Sequence, residues 1–331
     1  MQRFVATTRH PQASPVLAFF VAAVAVASVL CGCVASPPVV QTKRPAEEFT
    51  LQPLPGADGA TLQALQRAER TAPLRYRVIV IPGSGCAGMG PMADRYFAGL
   101  LHAQVLVLHK PWVDPQARTA PADCARSFVR QDRHSTWLAH ARAALRADAT
   151  LRKGQPVIPH LLVGISEGAE LLPALAPEVP HLAGLVLLSA SGLDPQEAGE
   201  LQARRLGVQS DWAALGRIVQ GAPHDSVTVQ GRSLGYWRDL WNWPLGLPLL
   251  QSPWPILQVW GSDDALVPAA AYERFAQMAS VRAVPFCARR IDGADHGLQR
   301  RSAGIDGVQQ VWAWTEQWAR NPQAGLCGAL P

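Results

Sequence analysis

Short apolar runs recur along the chain, separated by stretches in which apolar residues return every three or four positions. The runs Leu74–Ile81, Ala103–Leu108, Val157–Val163, Ala183–Ala190, Pro255–Trp260 and Ala283–Ile291 read as buried strands. Met92–Leu101, Arg130–Ala149, Glu167–Ala176, Pro268–Ser280 and Gly304–Arg320 carry the helical period. Continuously apolar strands alternating with helices predict an α/β class, a mostly parallel, doubly wound sheet covered on both faces. Ahead of this pattern, Glu48–Leu54 and Thr61–Ala68 flank an Asp58-Gly59 turn signal and predict a β-hairpin. The good helix formers of Thr61–Arg70 leave a helix open as the alternative. Residues 192–253 break the alternation. They hold helical pieces, Gln196–Leu206 and Trp212–Val219, and an aromatic stretch, Tyr236–Trp243, but no central apolar strand.

The N-terminus has a different pattern. Arg3 and Arg9 precede an apolar stretch, Pro15–Leu30, with small residues towards its end. This is the plan of a signal peptide, here residues 1–32. It closes on Leu30-Cys31-Gly32-Cys33, which resembles a bacterial lipobox: Cys33 follows a small residue and is the expected acylation site, whereas bulky Leu30 excludes Cys31. A plain secretory signal and an uncleaved anchor helix are the competing readings. Residues 33–47, rich in Pro and small residues, read as an extended tether. Val34 at the second mature position favours the outer membrane. The expectation is an exported, periplasm-facing protein whose membrane contact is an N-terminal lipid.

At 331 residues and 48% hydrophobic content the remainder is long enough for a large buried core. The formal net charge of +5 is scattered, with Arg far outnumbering Lys and no basic block interleaved with aromatics. A nucleic-acid partner is therefore not expected. His134 and His140 share a predicted helix without metal-ligand spacing, and no Cys-x-x-Cys occurs, so no metal site is expected.

The candidate chemistry lies where the third apolar run meets its helix. Gly164-Ile165-Ser166-Glu167-Gly168 puts a serine between two glycines at a strand-to-helix turn. Residues without Cβ let strand and helix pass closely, and the helix N-terminus suits developing negative charge. This stretch resembles the nucleophile elbow of the α/β-hydrolase superfamily, and the resemblance extends over most of the chain from residue 48. It implies the α/β-hydrolase fold for residues 48–331, with residues 192–253 as a helical, Trp-rich cap. It also implies Ser166 as nucleophile. Gly261-Ser262-Asp263-Asp264-Ala265-Leu266-Val267-Pro268 resembles the superfamily's acid loop and places the acid on Asp264, with Asp263 and Asp194 as competitors. Asp292-Gly293-Ala294-Asp295-His296-Gly297 resembles its histidine loop and makes His296 the general base. The order Ser, Asp, His is the one the superfamily uses.

By the same resemblance the loop after Leu74–Ile81 supplies an oxyanion donor. Position assigns it to the backbone N–H of Ser84, with Gly85 as alternate, and the second donor to the N–H of Glu167. Pro82 stands where many members carry His. The Glu167 side chain has two open readings, a subsite for a cationic substrate group or a solvated helix end. Tyr236, Trp237 and Trp241 are pocket candidates, against the alternative that they merely pack the cap. Beyond Cys31 and Cys33, four cysteines remain, and an even number in an exported chain suggests disulfides. Three pairings are open; the expected one joins Cys86 to Cys124 and Cys287 to Cys327.

The expected activity is hydrolysis of a carboxylic ester, or else a thioester or amide, of a small-molecule acyl substrate through an acyl-enzyme, with no cofactor. An acyltransferase on the same triad and a non-catalytic binding lipoprotein of the same fold are the alternatives.

Overall fold

The computed structural model describes residues 49–221 and 223–328. The signal peptide, the tether and the acylation site at Cys33 lie outside them.

Eight strands form one sheet: β1 (Thr50–Pro55), β2 (Thr61–Arg67), β3 (Tyr76–Ile81), β4 (Ala103–Leu108), β5 (His160–Ile165), β6 (Leu182–Leu188), β7 (Ile256–Gly261) and β8 (Phe286–Ile291). Their order is β1-β2-β4-β3-β5-β6-β7-β8. Strand β2 runs antiparallel to both neighbours, and every other pairing is parallel. The hairpin reading of the N-terminal pair is therefore the observed one, with Thr50 opposite Gln66 and Pro55 opposite Thr61.

Alternate residues of the central strands feed opposite faces. Val78, Val80, Val105, Val107, Leu161 and Val163 pack on the side of helices α1 (Gly90–Tyr96) and α10 (Gly307–Arg320). Ile79, Ile81, Leu106, Leu108 and Leu162 pack on the opposite side, with α3 (His134–Leu151) and α9 (Ala269–Ala279). Strand β3 is buried along its whole length, which is why Val78–Ile81 reads apolar without alternation; its one charged residue, Arg77, is paired with Asp148.

Between β6 and β7 the chain forms α5 (Pro195–Leu206), α6 (Gln209–Gln220), α7 (Leu234–Trp241) and α8 (Gly246–Gln251). A satellite cluster of Leu215, Val219 and Trp241 holds α6 and α7 together, and Trp212 stacks on Trp241 at 4.6 Å. No helix among the described residues is long and apolar enough to cross a membrane.

Several predicted elements have different bounds. The helix expected over Met92–Leu101 ends at Tyr96. Carbonyls that a longer helix would use, Phe97 and Leu100, instead accept from Arg67, and Gln309 receives the N–H of Gly99. The helix expected over Arg130–Ala149 is two helices, α2 (Arg126–Gln131) and α3, broken where the Asp132 carboxylate turns inward to Lys110 and Arg232. The strand expected at Val157 starts at His160, after Pro159, and Val157 is 73% exposed. The helix after Ser166 is tightly wound over Ser166–Leu171 before α4 (Leu172–Leu175) takes the α form.

Both expected disulfides are present. Cys86 pairs with Cys124 and Cys287 with Cys327. The first ties the loop after β3 to the segment after β4. The second pins the C-terminal segment to β8.

Candidate active site

Strand β5 ends at Ile165, and Ser166 follows with φ +51°, a left-handed conformation costly for a side-chain-bearing residue. Close packing enforces the turn. A Cβ on Gly164 would lie 2.3 Å from Ala169 Cα, and one on Gly168 2.2 Å from the carbonyl oxygens of Ile81 and Pro82. The two glycines thus let the post-elbow turn pass over the strand on one side and over the end of β3 on the other. The serine is left projecting from the strand end.

Parallel neighbours β7 and β8 deliver the other two side chains from their C-terminal ends. Ser166 Oγ lies 3.0 Å from His296 Nε2, and His296 Nδ1 lies 2.8 Å from Asp264 Oδ2. Asp264 is 6% exposed. Its Oδ1 accepts from the backbone N–H groups of Leu266 and Val267, at 2.7 and 2.9 Å, and its Oδ2 also accepts from Tyr272 at 2.7 Å. Burial alone would raise the Asp264 carboxyl. The bonds from His296, Val267 and Tyr272 outweigh it and hold the group below the usual carboxylate range. With Asp264 ionised, His296 donates through Nδ1 and presents Nε2 as acceptor to the Ser166 hydroxyl.

The two competitors for the acid position are placed elsewhere. Asp194 accepts from the N–H groups of Leu245 and Gly246, at 2.6 and 2.7 Å, so it fastens the two ends of the β6–β7 insertion to each other. Asp263 is exposed and lies 3.6 Å from Arg300.

Ser166 and His296 open into a cleft with two lobes. One, of about 240 Å³, runs beneath the insertion and includes Glu170, Ser189, Ser191, Tyr236 and Leu245. The other, of about 300 Å³, is lined by apolar side chains, among them Met89, Met92, Tyr96, Leu188 and Leu298. Ser84 lines both lobes, and Glu167 lines the first. Of the aromatic candidates, Tyr236 borders the cleft, but Trp237 and Trp241 do not. Trp237 donates to Val229 O at 2.9 Å, and Trp241 packs within the insertion. Their apolar surface is consumed in joining insertion helices, the packing alternative.

Neither sequence reading of the Glu167 side chain holds. It is 5% exposed and enters a buried ionic cluster. Lys110, at the end of β4, binds Glu167 Oε1 and lies 2.8 Å from Asp132 Oδ1. Tyr236 donates to Glu167 Oε2 at 2.9 Å, and Arg232 contacts Asp132 at 2.6 Å. Burial alone would raise the Glu167 carboxyl, but Lys110, His134 and Arg232 pull it down to about 2. Beside it, His134 Nε2 meets Glu170 Oε2. His140, on the same helix, accepts from the N–H of Ala57 at 3.2 Å. Lys110, Asp132, Arg232 and Glu170 are not marked as site residues by the sequence. Lys110 carries a faint local signal, a lysine two residues beyond a mostly apolar strand. The others lie far apart in sequence and meet only in the fold. No group of His, Cys, Asp and Glu among the described residues has the arrangement of a metal site.

No protein-family model matches this chain, and no curated protein matches its sequence. Solved structures do. Over 82% of this chain and 99% of its own, Est1E from Butyrivibrio proteoclasticus with ferulic acid bound matches with a TM-score of 0.56 at 17% identity. An esterase from Pyrobaculum calidifontis matches with a TM-score of 0.55 at 15% identity, over 84% of this chain and 87% of its own. A puromycin-hydrolysing peptidase of Mycobacterium tuberculosis matches with a TM-score of 0.53 at 16% identity over 84% of this chain. This chain spans 40% of that peptidase's length. At such identities the likeness shows the fold, the general α/β-hydrolase architecture of a mixed, mostly parallel sheet flanked by helices.

Proposed function

We propose that this chain is a serine hydrolase acting on a carboxylic ester, with Ser166 as nucleophile, His296 as general base and Asp264 as the orienting acid. One observation carries the reading: the hydrogen-bonded line from Ser166 through His296 to a buried, ionised Asp264, at 3.0 and 2.8 Å, at the junction of an open cleft. Fold alone does not choose an activity, so the likeness to esterases and a peptidase adds only that this architecture hosts such chemistry.

The steps follow from the positions. His296 Nε2 takes the hydroxyl proton as Ser166 Oγ attacks the carbonyl carbon, and Asp264 stabilises the imidazolium. The N–H groups of Ser84 and Glu167 receive the oxyanion; losing one such donor costs about 3–4 kcal/mol of barrier. The intermediate collapses, the C–O bond to the leaving group breaks, and His296 returns the proton to the departing alkoxide. Water enters, loses a proton to His296 and attacks the acyl-enzyme; its collapse frees the acid and restores Ser166. In this reading the β6–β7 insertion is a cap, because it roofs the lobe that contains Tyr236 and Leu245. A sealed serine would have favoured a non-catalytic binding role; Ser166 instead borders both lobes, which supports the hydrolase reading.

Labelling with a fluorophosphonate tests the reading. Wild-type protein is expected to take up the label at Ser166, and Ser166→Ala is expected to lose it. Folded wild-type protein that stays unlabelled would overturn the assignment.

A further inference from the structure

Ser189 is the first residue beyond β6, and it lies at the junction of the two lobes: with Ser84, Ser166 and His296 it lines both. Three features set it apart. Its backbone has φ +54°, a conformation that burdens any residue with a side chain, and here nothing about chain reversal asks for serine rather than glycine. The residue is 2% exposed, and what it exposes faces the cleft. Among the described residues that hydroxyl has no hydrogen-bond partner.

The strained backbone is held from outside. Its N–H donates to Val259 O on β7 at 2.8 Å. The wholly buried Gln258 donates from Nε2 to the carbonyls of Ala190 and Ser191, at 3.2 and 2.7 Å, and so clamps the two residues that follow. Neighbouring structure therefore fixes Ser189 beside Ser166 at a steric cost, with a donor and acceptor unspent.

The walls around it are unequal. The lobe with the Met89, Met92 and Tyr96 side chains is apolar. The lobe beneath the insertion adds Ser191 and the Glu170 carboxylate, of which only Oε2 is engaged by His134. That lobe offers hydroxyl groups partners beyond the shared junction; away from that junction the other is walled mainly by apolar side chains.

Resting on the hydrolase reading, we infer that Ser189 is a substrate-contacting residue, and that the substrate joins a small apolar group to a hydroxyl-bearing group across the scissile ester. The hydroxyl-bearing group lies beneath the insertion. Its hydroxyl, one or two carbons from the ester, bonds to Ser189, and the apolar group fills the methionine lobe. A hydroxyl bonded in a site short of water gains roughly the worth of one net hydrogen bond.

Two matched pairs test this, one for each side of the ester bond. Propyl butyrate is compared with glyceryl monobutyrate, and methyl butyrate with methyl 3-hydroxybutyrate. In wild-type protein the hydroxylated member of at least one pair is expected to have kcat/KM about five- to tenfold above its plain partner. In Ser189→Ala that ratio is expected to fall to near one. Ser189→Gly, which also relieves the positive φ, is expected to behave the same and to melt no lower than wild type. A merely structural role would lower both rates together and leave the ratio alone. Parity of both pairs in wild type, or a preference that survives in both variants, overturns the inference while the hydrolase reading stands. Absence of turnover together with absence of phosphonate labelling at Ser166 overturns that reading first, and this inference with it.

Discussion

Asp264 spends both carboxylate oxygens within its own neighbourhood. Leu266, Val267 and Tyr272 hold it in place, and one bond to His296 remains as its outward contact. Such a group fixes the tautomer and the ring plane of His296 and changes little itself. Replacing it by Asn keeps the shape but offers a neutral partner that can turn an N–H toward Nδ1. Asp264→Asn is therefore expected to lower kcat by about 10³–10⁴-fold, with KM little changed and Tm within a few degrees of wild type. A loss of less than tenfold on an ester that Ser166→Ala fails to cleave would show that His296 does not need this acid. This residue was legible in the chain itself, because a loop motif after an apolar strand marks it. Ser189 was not, since its value lies in a positive φ and a missing partner, and neither is written in local sequence.

At the scale of elements, the buried cluster behind the elbow joins pieces that the hydrophobic pattern keeps apart. Lys110 comes from the end of β4, Asp132 from the break between α2 and α3, Glu167 from the elbow, and Arg232 and Tyr236 from the insertion. One cation, Lys110, serves two carboxylates while also lying 4.6 Å from the Trp137 ring centroid. Burial opposes its charge, yet Glu167 and Asp132 hold its pKa above the ordinary lysine value. Lys110→Met would leave two carboxylates in the interior without the cation that bridges them, with Arg232 and His134 left nearby. We expect a loss of about 3–5 kcal/mol in unfolding free energy, read from denaturant midpoints. Adding Glu167→Gln to that variant is expected to restore part of the loss, since it removes one uncompensated charge. Additive losses in the double variant would show that the two residues do not interact. The break within Arg130–Ala149 has no local mark for this reason: residues 130–136 are all polar and free of Gly and Pro, and a lysine and an arginine from distant segments pull Asp132 inward.

Across the whole molecule, buried histidines couple the fold to acidity. His109, just beyond β4, is 1% exposed and accepts from the N–H of Met89 at 2.9 Å, so it braces the loop that forms the apolar lobe. Burial pulls its pKa down to about 4, and burial together with Arg77 does the same for His160. The sign follows from proton counting. Below the unfolded value of 6.5 the unfolded chain takes up protons that the folded chain refuses, so stability falls with pH from 6.5 to about 4 and levels below that. His134 has the opposite sense: Glu170 outweighs burial and raises it, and its contribution is present below 6.5 and lost as pH rises through its folded value. Comparing His109→Gln with wild type isolates one term. The variant's urea midpoint is expected to fall less steeply between pH 6.5 and 4. Parallel curves would remove His109 from the acid response.

The chain by itself determined the strand-and-helix alternation, the strands β3, β4, β6 and β7 to within about two residues, the elbow, and the order of Ser166, Asp264 and His296. These are legible because a strand buried on both faces is apolar wherever no partner satisfies a polar group, and because a tight strand-to-helix crossing admits only glycine at Gly164 and Gly168. Tertiary structure alone decided where α1 stops, where α2 breaks from α3, and which aromatic borders the cleft. In each case a polar group meets a partner that is remote in sequence: Arg67 on the carbonyls of Phe97 and Leu100, Lys110 on Asp132, Tyr236 on Glu167. Apolar burial follows local period because it has no direction. Hydrogen bonds and ion pairs are directional and paired, so their assignment waits until the fold has brought both members together.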